Sequence, residues 1–376
     1  MNIDRTIAKS ITELLVGNKK IVVLFGARQT GKSTLSNSLL DQMEGKVLRI
    51  NADELKYIDV LSSRDFAKMQ LLLEGYDLLF VDEAQRIPDL GINLKIIYEN
   101  MPNLKILVTG SSSFDLANRV NEPLTGRTIT FKLFPFSLQE LRASSNVFDI
   151  QSRLDEFMIY GLYPELVQYK NAADKERYLT ELSNSYLYKD VLELSNIRNS
   201  SQINKLLKLL AFQIGQLVSV NELAKSLGMS QQTVNSYIDL LEKSFILFRL
   251  SGYNKNLRKE ISKQDKIFFW DLGVRNSLIN NFSPLDLRND VGSLWENFII
   301  AERLKYLSNN NQFVKPYFWR TYTGAEVDYV EERNGELIAY EIKYKKARNK
   351  APQTWVENYG NNFHCITRDN FWEYVM

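Results

Sequence analysis

The stretch IVVLFGARQTGKSTLSNSLLDQM, residues 21–43, decides the fold of the first part of the chain. Its opening IVVLF is an unbroken apolar run, the pattern of a strand buried on both faces. GARQTGKST, residues 26–34, then fits the spacing G-x-x-x-x-G-K-[ST], and the apolar periodicity after it is helical. Glycines let the backbone close around a phosphate, and the helix start supplies unpaired N–H donors and a favourable dipole. The expected cradle is therefore Gly26, Ala27, Arg28, Gln29, Thr30, Gly31, Lys32, Ser33 and Thr34. Lys32 is placed to reach the β- and γ-phosphates, and the Ser33 hydroxyl to bind Mg2+.

Two further apolar runs extend the reading. LLFVDEAQ (78–85) is a strand that ends in Asp82 and Glu83. An Asp at a strand tip beside a phosphate loop holds the magnesium, and the following Glu activates water, which hydrolysis needs and small-molecule kinase chemistry does not. KILVTGSS (105–112) brings Ser111 to the height of the γ-phosphate, and LTGRT (124–128) carries Arg127. Arg127 reads either as a finger supplied in trans within a homo-oligomer or as a surface arginine. No guanine-reading motif follows, so ATP is the expected nucleotide.

Working outward, residues 1–140 alternate short apolar runs with helical segments, as in an α/β unit with a parallel sheet. Residues 141–255 carry mainly helical periodicity, and 256–376 return to strands around a helix at VGSLWENFIIAERLKYL (291–307). RASSNVFDIQS (142–152) and SGYNKNLRKEISKQD (251–265) read as linkers or insertions. Within the middle region, residues 218–244 have helix–turn–helix spacing, with Gly228 at the turn and a second helix opening at Ser230. Gln231, Gln232, Asn235 and Ser236 would face bases, but this helix has no Lys or Arg before Lys243, and phosphate contacts carry much of such affinity. A packing module is the preferred reading and DNA contact the second.

The C-terminal third holds a second constellation. Asp328 lies on one strand, and Glu341 and Lys343 lie two apart on the next, across a hairpin at ERNGEL. Period two places Glu341 and Lys343 on one face and turns Ile342 into the core. Two carboxylates converging on Mg2+ beside a lysine are the equipment of a nuclease, with Glu296 as a third acid. A salt-bridged cluster around Lys343 without cutting is the alternative.

On these residues the chain resembles the AAA+-type ATP-binding proteins of bacteria and archaea, in which a P-loop core precedes a winged-helix module and a C-terminal domain of unknown function. The segments that carry it are GARQTGKST, LLFVDEAQRIP, LVTGSSSFDL, LTGRT with LFPFSLQE, YGLYPELV (160–167) and GAEVDYV with AYEIKY. The resemblance implies ATP binding and magnesium-dependent hydrolysis at Lys32, Ser33, Asp82, Glu83 and Ser111. The order of Glu296, Asp328 and Glu341-x-Lys343 resembles the restriction-endonuclease-like superfamily, with Val327 where its motif has Pro. That implies a DNA or RNA substrate.

The 376 residues carry a net charge of only +2, which reveals no nucleic-acid partner, although Lys343, Lys345, Lys346, Arg348 and Lys350 cluster. One cysteine, Cys365, and one histidine, His364, exclude a disulfide within the chain, thiolate zinc sites and histidine-based metal sites. No apolar run has the roughly 20 residues of a membrane span, so no membrane partner is expected and the cytoplasm is the default.

Overall fold

The computed structural model describes residues 3–17, 19–110, 124–195, 200–254, 264–345 and 350–376, without the side chains of 185–195 and 200. Its first region is a five-stranded, wholly parallel sheet in the order β2-β3-β4-β1-β5. The strands are β1 (Ile21–Gly26), β2 (Val47–Asn51), β3 (Leu78–Asp82), β4 (Lys105–Gly110) and β5 (Thr128–Leu133). Period two divides their side chains cleanly. Val23, Phe25, Leu79, Val81 and Val108 pack on one side against helices α3 (Leu55–Leu61), α4 (Phe66–Leu73) and α5 (Leu90–Asn100). Val22, Leu24, Phe80 and Leu107 pack on the other against α1 (Ala8–Gly17) and α2 (Lys32–Leu40). Because all strands run the same way, the ends of β1 and β3 share one edge, where α/β folds bind ligands.

The middle region is helical, as its periodicity predicts. It comprises α6 (Leu138–Arg142), α7 (Val147–Ser152), α8 (Leu154–Tyr160), α9 (Ala172–Ser195), α10 (Ser200–Phe212), α11 (Val220–Leu227) and α12 (Gln231–Lys243). The expected linker at 142–152 is largely structured instead. Asn146 caps α7 through the Asp149 N–H, and Ile150 is buried, so local capping outweighs the polar composition. Gly228 takes the left-handed conformation at the end of α11, and Ser230 caps α12.

A mixed six-stranded sheet follows, in the order β11-β10-β9-β8-β6-β7. Its strands are β6 (Leu247–Gly252), β7 (Lys266–Phe269), β8 (Lys315–Arg320), β9 (Glu326–Arg333), β10 (Glu336–Ile342) and β11 (Phe363–Ile366). Helices α13 (Leu272–Leu278), α14 (Val291–Asn309), α15 (Gln353–Tyr359) and α16 (Trp372–Val375) complete it. The β6–β7 hairpin joins residues on both sides of position 255, and β6 also pairs in parallel with β8. One continuous core accordingly runs from Leu154 through Leu241 and Phe268 to Trp295 and Tyr340. The first sheet meets this body at Phe134, whose ring centre lies 4.3 Å from that of Trp270. Among the described residues no helix is long and apolar enough to cross a membrane.

The YGLYPELV segment sits at that junction. Gly161 has φ +77, and a Cβ there would overlap the buried Asp271 carboxylate, which accepts the Leu162 N–H at 2.7 Å. Gly161→Ala combines positive-φ strain with this collision. It should lower unfolding stability by at least about 2 kcal/mol in urea titrations, whereas Gly292→Ala, in open space, should be neutral.

Candidate functional site

The phosphate loop begins where β1 ends. A Cβ on Gly26 would strike the Leu133 carbonyl of β5, so only glycine lets the two strands lie side by side there. Gly31, at φ +91, caps α2, and Gln29 also has positive φ. The Lys32 ammonium is buried and folds back onto the loop, donating to the Gly26 carbonyl at 2.9 Å and the Ala27 carbonyl at 2.8 Å. The Thr30 hydroxyl donates to the Ala27 carbonyl, and the Gln29 side chain accepts from Tyr178 of α9. Arg28 to Leu35 and Glu83 line one cavity of about 1010 Å³. Arg5, Phe136 and the Pro164–Gln168 segment complete its wall.

Asp82 stands at the tip of β3, where its Oδ1 accepts the Glu83 N–H and the Thr109 hydroxyl. Glu83 has φ +53 and is bonded by the Gln85 amide. The Ser33 hydroxyl and the Asp82 carboxylate are hard oxygen donors of the kind Mg2+ takes. Ser111 lies outside the described residues. Arg127 does not reach this cavity from its own chain. It precedes β5 at the opposite end of the sheet, six strand steps or roughly 20 Å from the Gly26 edge, and pairs with Glu99 at 2.8 Å.

The second constellation also assembles. Glu296 of α14, Asp328 of β9, Glu341 of β10 and Lys343 line one open pocket of about 570 Å³. Between Tyr317–Val330 and Trp319–Val327 the β8–β9 register shifts, so Asp328 and Tyr329 together oppose Phe318. Such a bulge re-aims a side chain. The Lys343 ammonium lies 3.1 Å from Asp328 Oδ2 and 2.6 Å from Glu341 Oε1, so both acids face a common point. A cation of the protein stands at that point. Among the described residues no group of three or more Asp, Glu, His or Cys is arranged to hold a metal ion.

Sequence reasoning missed the rest of this pocket. Lys266 of β7 reaches across to Glu296 at 3.0 Å and Glu326 at 2.5 Å, while Arg320 lies 3.7 Å from Glu326. Gly215, Gln216 and Leu217, from the turn after α10, form its far wall. Lys266 is 62 positions from Asp328, and only the β6–β7 hairpin brings it near. Burial pushes the Glu296 carboxyl up to about 7 against the opposing pull of Lys266, with the Asp328 charge adding to the rise. Burial and then Asp328 also raise Glu341, while its two acid neighbours raise Lys343 despite partial burial.

Other expected features fall elsewhere. Gln231, Gln232, Asn235 and Ser236 are exposed on α12. Of the basic cluster, Lys345 and Lys350 are exposed, Lys343 belongs to the pocket, and Lys346 and Arg348 lie outside the described residues. His364 stacks on Tyr340 with ring centres 5.6 Å apart, and Cys365 is buried.

The parallel sheet and its loop define an ATP-binding P-loop ATPase. Residues 18–142 match the family model described as "AAA domain", with domains of unknown function DUF8612 at 151–285 and DUF4143 at 291–363. The chain belongs to the same family as "Uncharacterized protein Rv2008c" of Mycobacterium tuberculosis, 30% identical over 353 residues that cover 91% of this chain and 74% of that protein. An uncharacterized protein of Haemophilus influenzae is 26% identical over 359 residues, covering 88% of this chain and 84% of the other. Among solved structures, the Walker-type ATPase PABY2304 of Pyrococcus abyssi shares the fold, with a TM-score of 0.51 and 17% identity over 74% of this chain and 96% of that one.

The raised Glu296 gives a pH signature. A carboxyl whose folded value rises from 4.5 to about 7 contributes stability that is full below 4.5 and is lost as pH rises through 7. The loss is on the order of 3 kcal/mol. Glu296→Gln should therefore melt higher relative to wild type at pH 8 than at pH 5 in calorimetric scans. An equal difference at both values would refute the shift.

Proposed function

We propose that the chain is a Mg2+-dependent ATPase whose turnover controls a nuclease-like pocket in the C-terminal domain, acting on DNA or RNA in the cytoplasm. The observation that carries this reading is the meeting of Glu296, Asp328, Glu341 and Lys343, from three separate segments, in one open pocket. A carboxyl poised near neutrality can give or take a proton at working pH, as cleavage of a phosphodiester by water requires. Lys343 is 40% exposed, and with its ammonium displaced Asp328 and Glu341 would supply oxygen donors for a divalent ion.

In the ATPase, Ser33 and Asp82 would hold Mg2+, which neutralises charge on the phosphates. Glu83 orients the attacking water, and Lys32 leaves its loop carbonyls for the β- and γ-phosphates. Arg127 would act on a neighbouring subunit of a homo-oligomer. Helices α10 to α12, the β6–β7 hairpin and the strip at 215–218 support a winged-helix module between the two sites.

A second reading has its own observation. With Lys343 between Asp328 and Glu341 and Lys266 between Glu296 and Glu326, the pocket is internally neutralised, as a non-cleaving interaction module would be. The ATPase then serves as a conformational switch.

Lys32→Ala should abolish ATP binding, and Glu83→Gln should retain binding but lose turnover by about 10²-fold or more. Binding and phosphate-release assays on both variants check this, and full turnover by Glu83→Gln would remove it as the base. For the pocket, single- and double-stranded DNA and RNA should be cut with Mg2+ or Mn2+ by wild type and not by Asp328→Ala or Lys343→Ala. Equal cutting by all three, or none by wild type with and without ATP, would leave the switch reading.

A further inference from the structure

Arg5 lies just before α1, where its carbonyl accepts the Ala8 N–H, and no motif marks it. Its guanidinium is nevertheless buried at the edge of the nucleotide cavity. Nη2 donates to the Thr30 carbonyl of the phosphate loop, Nη1 donates to Glu140 Oε2 at 3.0 Å, and the group lies 4.2 Å from the centre of the Phe136 ring. In a planar trans peptide the C=O and the following N–H point in opposite directions. Holding the Thr30 carbonyl against Arg5 thus turns the Gly31 N–H away from Arg5. Gly31 is the cap of α2, so this N–H is one of the donors a phosphate would meet.

The other partner leads out of the ATPase. Glu140 Oε2 also accepts the Ser137 N–H at 2.9 Å, and Oε1 accepts the Thr6 N–H at 3.3 Å. Ser137 and Glu140 form the capping box of α6. The next N–H, that of Leu138, donates to Glu302 Oε2 of α14 at 2.6 Å. Glu302 pairs with Lys305 at 2.7 Å, Lys305 donates to the Phe136 carbonyl at 3.2 Å, and Asn309 reaches the Ser137 hydroxyl at 3.4 Å. The side chains of Arg5, Glu140, Glu302 and Lys305 are at most 7% exposed. Charges this deeply buried hold one arrangement, because any other leaves one of them unpaired. Glu296 stands six residues earlier on the same helix, roughly 9 Å along its axis.

We propose that Arg5 is a positioning residue for ATP, fixing the Thr30–Gly31 peptide. Through Glu140 and Glu302 it makes ATP affinity depend on the C-terminal helix α14. The proposal rests on the ATP-binding core and not on the chemistry of the C-terminal pocket, so nuclease assays do not bear on it.

The test measures the Kd of a fluorescent ATP analogue, together with KM and kcat, on the full chain. A donor held on phosphate equally before and during reaction acts on binding, so Arg5→Met should raise Kd and KM about tenfold and change kcat less than about threefold. Arg5→Lys, whose single ammonium lacks the two-pronged fork that spans Thr30 and Glu140, should recover part of the loss. Glu302→Gln touches no nucleotide yet should weaken binding about threefold, and with Arg5→Lys the effects should be non-additive by at least about twofold, as for residues of one network. Circular dichroism establishes that each variant is folded, and if Arg5→Met is not, Arg5→Lys carries the test. Wild-type affinity in a folded Arg5 variant would overturn the positioning role. Additive effects in the double variant would overturn the link to α14. A wild type that binds no analogue would overturn the proposal together with the ATPase assignment, which Lys32→Ala tests separately.

Discussion

A single ammonium group, that of Lys305, sits where the three parts of the chain meet. It faces Glu302 on its own helix, the Phe136 carbonyl just beyond the ATPase sheet, and the charge of Asp271 at the end of β7. Taking three charges out of water costs several kcal/mol each, and their attraction repays this only when every remaining lone pair is bonded. Backbone N–H groups of Leu138, Leu162 and Val274 do that bonding. The regions are thus joined by a polar joint that tolerates one geometry, set inside an apolar core that would accept several. Burial raises both carboxyls, as such a joint demands.

The two cavities use lysine in the same way. Lys32 donates to two carbonyls of the phosphate loop, and Lys343 lies between a pair of carboxylates. Each ammonium lies against two oxygens of its own chain. They differ in surroundings. Lys32 is buried, whereas Lys343 is open to water and shares its pocket with a second, deeply held cation, Lys266.

How much of this is legible from sequence depends on how local the cause is. The phosphate loop is legible because strand, glycines and helix adjoin. The Asp328, Glu341 and Lys343 group is legible because a short hairpin and period two place it. Strand β5 escapes notice: it is a half-exposed edge strand whose run TITFKL carries little apolar weight. Arg5 and Glu140 are 135 positions apart, and Leu138 and Glu302 are 164 apart, so no window contains either pair. The bulge that turns Asp328 follows from strand pairing, and nothing in its own segment announces it.

The parallel pairing of β6 with β8 bears on how this protein can be taken apart. Ser251 and Gly252 supply the outer partners of Tyr317 and Phe318, and the Tyr253 N–H donates to the Phe318 carbonyl at 2.7 Å. A fragment begun at residue 256 would strip that strand away, leaving β7 with no hairpin partner and β8 with a bare edge of unpaired N–H and C=O groups. Bare edges recruit other strands, so the excised C-terminal domain would pair with copies of itself. What divides into three families along the chain is, in its hydrogen bonding, a sheet that begins before the last of them.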